Sequence, residues 1–374
     1  MATRSTGATM QEKELLEAAR DGDENAYGRL VEPYHGELHA HCYRMVGSVH
    51  DAEDALQEAM LRAWRALGRF EGRSSLRSWL YTIATNTCLN LIARRPKRVL
   101  PLDYGPSFDP HDQGIGMPPI EATWVEPYPD QGLGLEDGYA APEARYELRE
   151  SVELAFVAAL QHLPANQRAA LILREVLGFS AQETADSLDT TVASVNSALQ
   201  RARKTVDEKL PDQSQQAMLR ALGDDGIRDV VEGYMEAMRE GDVDKVVSLL
   251  AEDAAWSMPP LAAWFTGRDE LVGFMRHGPL SGDWRWRHRP AHANGQAAVG
   301  SYCWHPGEGT YLPFALDVLT VDGDRRIKEI TSFICRSTRG EDADYYVRWP
   351  EQPVDLEWVE AAFVRFGMPG RLDD

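Results

Sequence analysis

The sequence predicts a multidomain protein with two all-α helical domains, the second containing a helix-turn-helix, followed by an α+β domain shaped like a cone. Its 374 residues exceed what one ordinary hydrophobic core accommodates. Apolar residues recur at helical spacing in residues 11–98 and again in residues 143–210. Residues 223–345 begin with helical patterns and continue as alternating, strand-like segments, an order that favours an α+β domain. Residues 99–142 form an acidic linker rich in proline and glycine, and residues 346–374 form a tail with a short helix.

The overall charge excludes a protein that coats nucleic acid through a generally basic surface. The chain carries 59 aspartate and glutamate residues against 39 lysine and arginine residues, for a net charge of −20. This sign repels a phosphate backbone. Binding to DNA or RNA must therefore rest on local basic patches, or on a partner that supplies the cations.

Cysteine usage and hydropathy indicate a soluble protein of the cytoplasm. The cysteines Cys42, Cys88, Cys303 and Cys335 lie far apart, as free thiols in a reducing compartment do. No apolar run reaches the length of a membrane span, and the N-terminal MATRSTGATM lacks the apolar centre of a signal peptide. We therefore expect no membrane association.

The most informative stretch is a helical hairpin over residues 51–98. Its first helix has one apolar stripe, and Ser74 or Ser75 caps its second helix. Residues 51–60 hold four acids and no base, whereas residues 61–100 hold nine bases and one acid. Two patches of opposite charge suit two different partners. Aromatic residues among the bases suit a single strand of nucleic acid, although the pattern alone equally fits two solvated helices of a bundle.

The sequence of this hairpin resembles a known family. The segments DAEDALQEAMLRAW and SLRSWLYTIATN, followed by a basic tail, are similar to the second conserved domain of the sigma-70 family, and more narrowly to extracytoplasmic-function (ECF) sigma factors. The resemblance covers residues 12–98. It implies that an acidic face docks on the clamp helices of bacterial RNA polymerase, and that the loop and second helix melt and hold the −10 promoter element. The implied polymerase-binding residues are Asp54, Gln57, Glu58 and Leu61, and the implied −10 residues are Arg69, Phe70, Arg73, Trp79, Tyr81, Asn86, Arg94 and Arg95.

A metal site is another interpretation of the N-terminal helices. His35, His39, His41 and Cys42 lie close together in sequence, and the first two are one helical turn apart, a spacing found in zinc-binding helices. No acidic partner or CxxC spacing accompanies them, and one helix cannot direct all four side chains to one point. We therefore expect packing roles here, and a protein with no metal, no cofactor and no catalytic residue.

The linker of residues 99–142 changes composition abruptly. From residue 101 onward it holds eight acids and no lysine or arginine, so it cannot bury a core of its own. A solvated tether is the simplest interpretation. The resemblance implies another, in which the linker threads the RNA exit path of the polymerase until the transcript displaces it. The TWVEPYPD segment, residues 123–130, is more apolar than a tether needs, so we expect it to dock on a surface.

Residues 143–210 contain the second nucleic-acid signal. Ser180 and Glu183 are spaced as a capping box, and a short turn at Asp189 leads into a helix with a polar face. LPANQRAALILREVLGFSAQETADSL and VNSALQRAR resemble the fourth conserved domain of sigma factors, which implies reading of the −35 element. Asn196 and Ala198 stand where the family often has lysine and arginine, so we expect a weak non-specific grip on DNA. The implied −35 residues are Thr191, Ser194, Asn196, Ser197, Gln200, Arg201, Arg203 and Lys204.

Residues 223–345 resemble a different family. WSMPPLAAWFTGRDEL and DGDRRIKEITSFI are similar to the SnoaL-like branch of the nuclear-transport-factor-2-like fold, which some ECF sigma factors carry as an extension. Folds of this type commonly enclose an apolar pocket. Aromatic filling, a small-molecule ligand and carboxylate catalysis all stay open from the residues alone, with Tyr234, His277 and His305 as further polar candidates. The expected ligand pocket is formed by Trp256, Met258, Trp264, Phe314 and Asp317.

These features predict an RNA polymerase sigma factor that binds the bacterial core enzyme and promoter DNA and is regulated by its own SnoaL-like domain. The alternative is a cone-fold enzyme, similar to isomerases or cyclases, or a ligand sensor, fused to a helix-turn-helix regulator that acts without polymerase. The helix carrying Asp54, Gln57 and Glu58 separates the two hypotheses, because a stand-alone regulator has no need of a polymerase-docking face.

Overall fold

The structure is a computed structural model that describes residues 4–108, 123–133, 150–211, 213–336 and 354–373. Contacts divide the chain into two compact units. The helical unit combines Met1–Arg95 with Leu160–Glu208, and the mixed unit combines Pro96–Ala159 with Lys209–Asp374. The first helical region therefore shares a unit with residues 160–208 of the second, whereas the linker and residues 143–159 belong with the C-terminal region.

The N-terminal part of the helical unit consists of helices whose ends carry the expected local signals. The Ser48 hydroxyl accepts the backbone N–H of Asp51 at 3.0 Å, and the Ser75 hydroxyl accepts that of Ser78 at 3.0 Å. Gly47 ends the helix before Ser48 in the left-handed conformation, with a φ of 70°. These helices are α1 (Arg4–Arg20), α2 (Glu24–Val31), α3 (His35–Val46), α4 (Val49–Ala66) and α5 (Leu76–Ile92).

The described parts of the linker are packed against the mixed unit. Strand β1 (Arg98–Val99) pairs in parallel with β2 (Thr123–Trp124), and α6 (Pro101–Tyr104) lies between them in sequence. The indole N–H of Trp264 donates to Gly105 O at 2.9 Å, and the backbone N–H of Phe108 donates to Trp264 O at 2.7 Å. The described linker is therefore docked rather than extended in solvent. The rest of the predicted linker, residues 109–122 and 134–142, lies outside the described residues.

The second half of the helical unit contains the predicted helix-turn-helix. The capping box is present, since the Ser180 hydroxyl accepts the Glu183 N–H at 3.1 Å and the Glu183 carboxylate accepts the Ser180 N–H at 2.8 Å. Asp189 makes the turn with a φ of 49°, and the Thr191 hydroxyl caps the next helix. From the end of the linker onward the helices are α7 (Leu154–Gln161), α8 (Ala165–Leu171) with a π-helical extension (Ile172–Val176), α9 (Ala181–Ser187) and α10 (Val192–Asp207).

The mixed unit continues with a series of helices and strands. These elements are α11 (Gln215–Glu240), α12 (Val243–Leu249), β3 (Leu250–Ser257), β4 (Trp264–Thr266), α13 (Arg268–His277), β5 (Trp286–Ala293), β6 (Gln296–His305), β7 (Thr310–Val321), β8 (Ile327–Ile334) and α14 (Leu356–Val364). The six strands form one sheet of order β4-β3-β8-β7-β6-β5. Alternating segments predict a curved antiparallel sheet, and all neighbours are antiparallel except β3, which runs parallel to β8. Because β3 follows a helix rather than a hairpin, no tight turn sets its direction.

One apolar core joins the first helix of this unit to the sheet. Buried residues of α11, β3, α13 and the long strands form a single cluster that includes Tyr234, Trp256 and Phe274. The tail closes on the same sheet, because Phe363 of α14 packs edge-on against Tyr302 with ring centroids 4.9 Å apart. Burial of this continuous apolar surface is the main force that holds helices and sheet together.

Candidate functional sites

The acidic face of α4 is directed to solvent. Asp54 and Gln57 are exposed, and Leu61 on the same face keeps 51 % of its surface accessible. Glu58 is half-buried and pairs with Arg62 at 2.7 Å. An accessible leucine flanked by polar side chains offers the apolar centre and polar rim of a protein interface. We call Asp54, Gln57, Glu58 and Leu61 the docking face.

Most of the cations implied in −10 binding are accessible. Arg69, Arg73 and Arg94 are exposed. Arg73 pairs with Glu71 at 2.7 Å, but its side chain is 84 % exposed, and ion pairs in water contribute little. Arg73 can therefore exchange this carboxylate for a phosphate. Arg95 is also exposed and pairs with the buried Asp51.

Two of the aromatic residues implied in −10 binding are packed inside, which corrects the expectation that they offer open stacking surfaces. Phe70 is 7 % exposed and lies against Trp79 with ring centroids 4.9 Å apart. Tyr81 is fully buried and makes an edge contact with Phe179 at 5.5 Å. Helix α5 is apolar around most of its circumference, so spacing alone does not separate a core ring from a surface ring. Trp79, which is half-buried, is the ring best placed to meet a base.

Asn86 and Thr82, one helical turn apart on α5, contact the helix-turn-helix region within the same unit. The Asn86 amide donates to Ser187 O at 3.4 Å, and the Thr82 hydroxyl lies 2.8 Å from the Ser187 hydroxyl. Ser187 is the last residue of α9. In this arrangement, therefore, the part of α5 implied in −10 binding is engaged by α9.

A buried arginine that the sequence reasoning missed reinforces this packing. Arg168 of α8 is 4 % exposed and donates to the backbone oxygens of Met45 and Leu163 and, at 2.6 Å, to the Gln161 side-chain oxygen. Burial lowers the pKa of Arg168 to about 10, which leaves it charged near neutrality. Since Met45 belongs to α3, the side chain bridges the two halves of the helical unit. An arginine inside the apolar run QRAALIL was the only sequence signal for it.

Helix α10 presents its implied −35 residues on one accessible side. Ser194, Asn196, Ser197 and Gln200 are exposed, whereas Val195, Leu199 and Ala202 are buried. Thr191, Arg201, Arg203 and Lys204 are also exposed. Arg203 pairs with Glu175 at 2.5 Å, so this cation is partly neutralised, while Lys204 is 3.9 Å from Glu208. Polar side chains flanked by cations can contact base edges and phosphates together.

The mixed unit contains a cavity of about 120 Å³. Trp256, Met258, Phe314 and Asp317 line it, in agreement with their expected places. Trp264 does not line it, because its indole is turned to Gly105. Trp286, which the sequence also offered as a lining residue, stacks on Trp284 in the cavity wall. The sequence did not indicate Trp284, Ser301 or Ser332 as lining residues.

Asp317 forms the polar base of this cavity. Its Oδ2 accepts the Ser301 hydroxyl at 2.7 Å and the Tyr234 hydroxyl at 3.2 Å, and its Oδ1 accepts the Ser332 hydroxyl at 2.5 Å. Burial raises the pKa of Asp317 to about 6, an effect that the three hydroxyl donors oppose. Asp317 is therefore mostly ionised near neutral pH.

The two histidine candidates lie away from this cavity. His277 is exposed, with Nδ1 2.8 Å from Gly273 O, and His305 is buried with Nδ1 accepting the Glu308 N–H at 3.2 Å.

Among the described residues, no three His, Cys, Asp or Glu side chains group as metal ligands would. Within the same residues, no helix combines the length and the hydropathy of a membrane span.

The TWVEPYPD segment docks on the turn between β5 and β6. Asn294 and Gly295 form this turn with φ values of 57° and 68°, as in hairpins with an Asn-Gly turn. Asn294 and Tyr128 exchange two hydrogen bonds of 2.9 and 2.8 Å, and the Asp130 carboxylate accepts the Gly295 N–H at 2.8 Å. The Asn294 amide also donates to Val152 O at 2.8 Å. The dipeptide Asn-Gly marked the turn in the sequence, but nothing there indicated its partner.

Comparison with known proteins finds three conserved regions along the chain. Residues 30–98 match Sigma-70 region 2, residues 153–206 match Sigma-70 region 4, and residues 231–330 match the SnoaL-like domain. The chain is 42 % identical over 317 residues to the ECF RNA polymerase sigma factor SigG of Mycobacterium tuberculosis, covering 84 % of this chain and 82 % of that protein. It is 32 % identical over 200 residues to the RNA polymerase sigma-H factor of Pseudomonas aeruginosa, covering 54 % of this chain and 94 % of that protein.

Among solved structures, the ECF sigma factor SigJ of Mycobacterium tuberculosis is similar with a TM-score of 0.49 and 24 % identity, over 86 % of this chain and 100 % of that one. The assignment rests on the SigG likeness and on the two sigma-70 regions, which occur in the order that the sequence predicted. Both relatives named above are sigma factors. These similarities do not support the alternative of an enzyme fused to a DNA-binding regulator. The chain belongs to the extracytoplasmic-function family of RNA polymerase sigma factors and carries a SnoaL-like domain after its two sigma regions.

Proposed function

We propose that this sigma factor binds the clamp helices of core RNA polymerase through the docking face of α4 and acts in the cytoplasm on promoters read by α5 and α10. The observation that carries the proposal is the accessible docking face, with Asp54 and Gln57 around an exposed Leu61. Exposed polar side chains are usual on a helix, but an exposed leucine at their centre leaves apolar surface in water. A partner protein that covers this leucine accounts for the face better than stability does.

Promoter reading is divided between two surfaces of the helical unit. Exposed arginines around α5, with Trp79 beside them, suit the phosphates and bases of a melted −10 strand. Asn196 and Gln200 on α10 suit base edges in the major groove of the −35 element. The net charge of −20 makes polymerase the main source of affinity for DNA, with the sigma factor supplying the choice of sequence.

The SnoaL-like domain regulates this activity by holding the linker. The turn at Asn294 and Gly295 binds the linker at Tyr128 and the segment that follows the linker at Val152. Glu153 adds a third contact, because its carboxylate accepts the N–H groups of Gln215 and Gln216 at the start of α11, at 3.1 and 2.6 Å. The tethered contact needs little intrinsic affinity, since both partners belong to one chain.

Reconstitution tests the assignment directly. The full chain added to bacterial core polymerase should give promoter-directed transcripts, whereas core polymerase alone gives none from the same template. A pool of promoter fragments should be enriched for one −35 and −10 pair. A chain that binds DNA fragments but neither associates with core polymerase nor supports initiation would contradict the proposed function.

A further inference from the structure

Among the residues that the structure describes, the polar base of the SnoaL-like domain's cavity offers hydrogen-bond acceptors and no free donor. The hydroxyl protons of Ser301, Ser332 and Tyr234 all go to Asp317. The indole N–H of Trp256 goes to the Ser332 hydroxyl oxygen at 2.8 Å. A carboxylate has about four acceptor positions, and among the described residues only these three hydroxyls donate to it. Oδ1, which accepts one of them, therefore keeps an acceptor position.

The remaining wall of the cavity is apolar and held in place. Trp284 and Trp286 stack with centroids 5.3 Å apart, and both meet the Phe314 ring edge-on at 5.1 and 5.4 Å. The Trp286 N–H is fixed by Pro279 O at 2.7 Å. A wall that is already ordered loses little freedom when a ligand enters. Its rings are therefore a preformed surface for a flat apolar group.

The volume sets the size of the occupant. An apolar cavity of roughly 150 Å³ accepts a benzene ring, and the cavity here measures about 120 Å³. Simple core filling does not account for its base, because a fully buried carboxylate with three hydroxyl partners is costly to keep in an apolar domain.

We propose that the SnoaL-like domain binds a compact apolar molecule, of about one six-membered ring, that carries a hydrogen-bond donor directed at Asp317. The donor is a hydroxyl or an amine. A carboxylate or ketone oxygen directed at the cavity base is disfavoured, because it would meet only acceptors there. This ligand would act on the domain that holds the linker, so its regulatory consequence, though not its binding, rests on the proposed function.

A series of one-ring probes tests the donor requirement on the full chain. Phenol and aniline carry a donor, toluene has the same shape without one, and benzoate carries an anionic acceptor. Tryptophan fluorescence and thermal unfolding report binding. Phenol and aniline should bind about tenfold or more tightly than toluene, as expected for a hydrogen bond to a charged group. Benzoate should not bind.

Two variants separate the hydrogen bond from the cavity itself. Asp317→Asn should remove the preference for phenol over toluene while toluene still binds. Ala315→Leu places extra carbons in the cavity that Ala315 lines, and should abolish binding of all probes without lowering the melting temperature. Trp264→Phe is the matched control for an aromatic change in the same domain outside the cavity, and should leave all affinities unchanged.

Equal binding of phenol and toluene to the unaltered chain would overturn the donor requirement. Unchanged binding to Ala315→Leu would place the probes elsewhere, and binding of none of the probes would overturn the site. Promoter-directed transcription by the same protein without any probe tests the sigma function separately. A failed ligand series with normal transcription would therefore reject this inference alone.

Discussion

At the scale of single residues, burial decides which polar and aromatic side chains can act on a partner. Tyr81 of α5 belongs to a basic stretch with several aromatic residues. It is nevertheless fully buried, and its ring contacts that of Phe179. Asp317 is also buried, but three hydroxyls donate to its carboxylate, which lines a cavity and can meet a ligand there. Asp54 is exposed and can be changed without disturbing the core.

Replacing Asp54, Gln57 and Glu58 with alanine together should weaken core polymerase binding by about 2 kcal/mol or more, as loss of hot-spot contacts does. The fold should persist, because none of the three contributes to the buried stripe of α4. Affinity for core polymerase and the melting temperature are the measurements. The control is Glu14→Ala with Glu17→Ala on α1, which removes the same two negative charges from exposed positions. Equal core affinity of the triple variant and this control would reject the docking face.

The stability of the SnoaL-like domain should depend on the protonation of Asp317. Its pKa is raised from 3.8 to about 6, so the folded protein holds this proton more tightly than the unfolded chain. The resulting stabilisation is complete below the unfolded pKa, declines as pH rises towards about 6, and is absent above it. Burial also raises the pKa of Tyr234 and that of the Cys335 thiol, the latter to about 12, so both neighbours stay neutral in this range.

Urea unfolding of the unaltered chain and of Asp317→Asn measures this effect. From about pH 4.5 to 7 the unaltered chain should lose about 2 kcal/mol relative to the variant, at 1.36 kcal/mol for each pKa unit. Other carboxylates titrate in both proteins and cancel in the difference. A difference in unfolding free energy that stays constant with pH would contradict a raised pKa at Asp317.

At the scale of elements, the two helices proposed to contact the promoter differ in how accessible their contact residues are. Helix α10 has its polar side in solvent, whereas Thr82 and Asn86 of α5 contact Ser187 of α9. Arg168 adds a buried bridge between the same halves of the unit. Reading of the −10 element by Asn86 therefore requires that α9 move away from α5, while reading by α10 requires no rearrangement.

Changes on α10 should separate base reading from phosphate binding. Asn196→Ala and Gln200→Ala should alter the preferred −35 sequence, since a good base contact contributes about 1–3 kcal/mol of discrimination. Lys204→Ala should weaken binding to all sequences alike and reduce the salt dependence. Competition among promoter fragments by the polymerase holoenzyme is the measurement. The same uniform loss in all three variants would mean that the reading face of α10 is misplaced.

At the scale of the whole molecule, the chain path gives the SnoaL-like domain its influence. The residues that connect the two halves of the helical unit belong to the mixed unit, where Tyr128, Asp130 and Val152 are bonded to one hairpin turn. The described part of this connector is therefore bonded to the SnoaL-like domain at one turn. On the proposed function, this contact is the route by which the domain affects initiation.

Loosening this contact should raise promoter output. Asn294→Gly keeps the turn conformation but removes the side-chain bonds to Tyr128 and Val152. Asp322→Gly is the matched control, because it removes two side-chain bonds to backbone N–H groups in the turn between β7 and β8. Transcription at matched concentrations should rise for Asn294→Gly and stay level for the control. Equal output and equal core affinity for all three proteins would leave the domain without a regulatory role.

Local sequence signals were enough to predict many of the helices and their ends. The capping box at Ser180 is present as its spacing predicts, and Ser75 rather than Ser74 caps α5. Helices α4 and α10 have exposed polar sides. These features depend on residues within about four positions of one another, where helical geometry leaves few alternatives. The sigma-70 segments were recognisable for the same reason, because their docking and reading residues lie on single helices.

Contacts between residues far apart in the chain could not be predicted from the sequence. Asp317 takes its hydroxyl partners from α11, β6 and β8, across separations of 83, 16 and 15 residues. The docking of Tyr128 on Asn294 joins positions 166 residues apart. The burial of Tyr81 likewise depends on Phe179, which lies in a loop from another part of the chain. Such contacts depend on topology and packing, which a local pattern of apolar and polar residues does not specify.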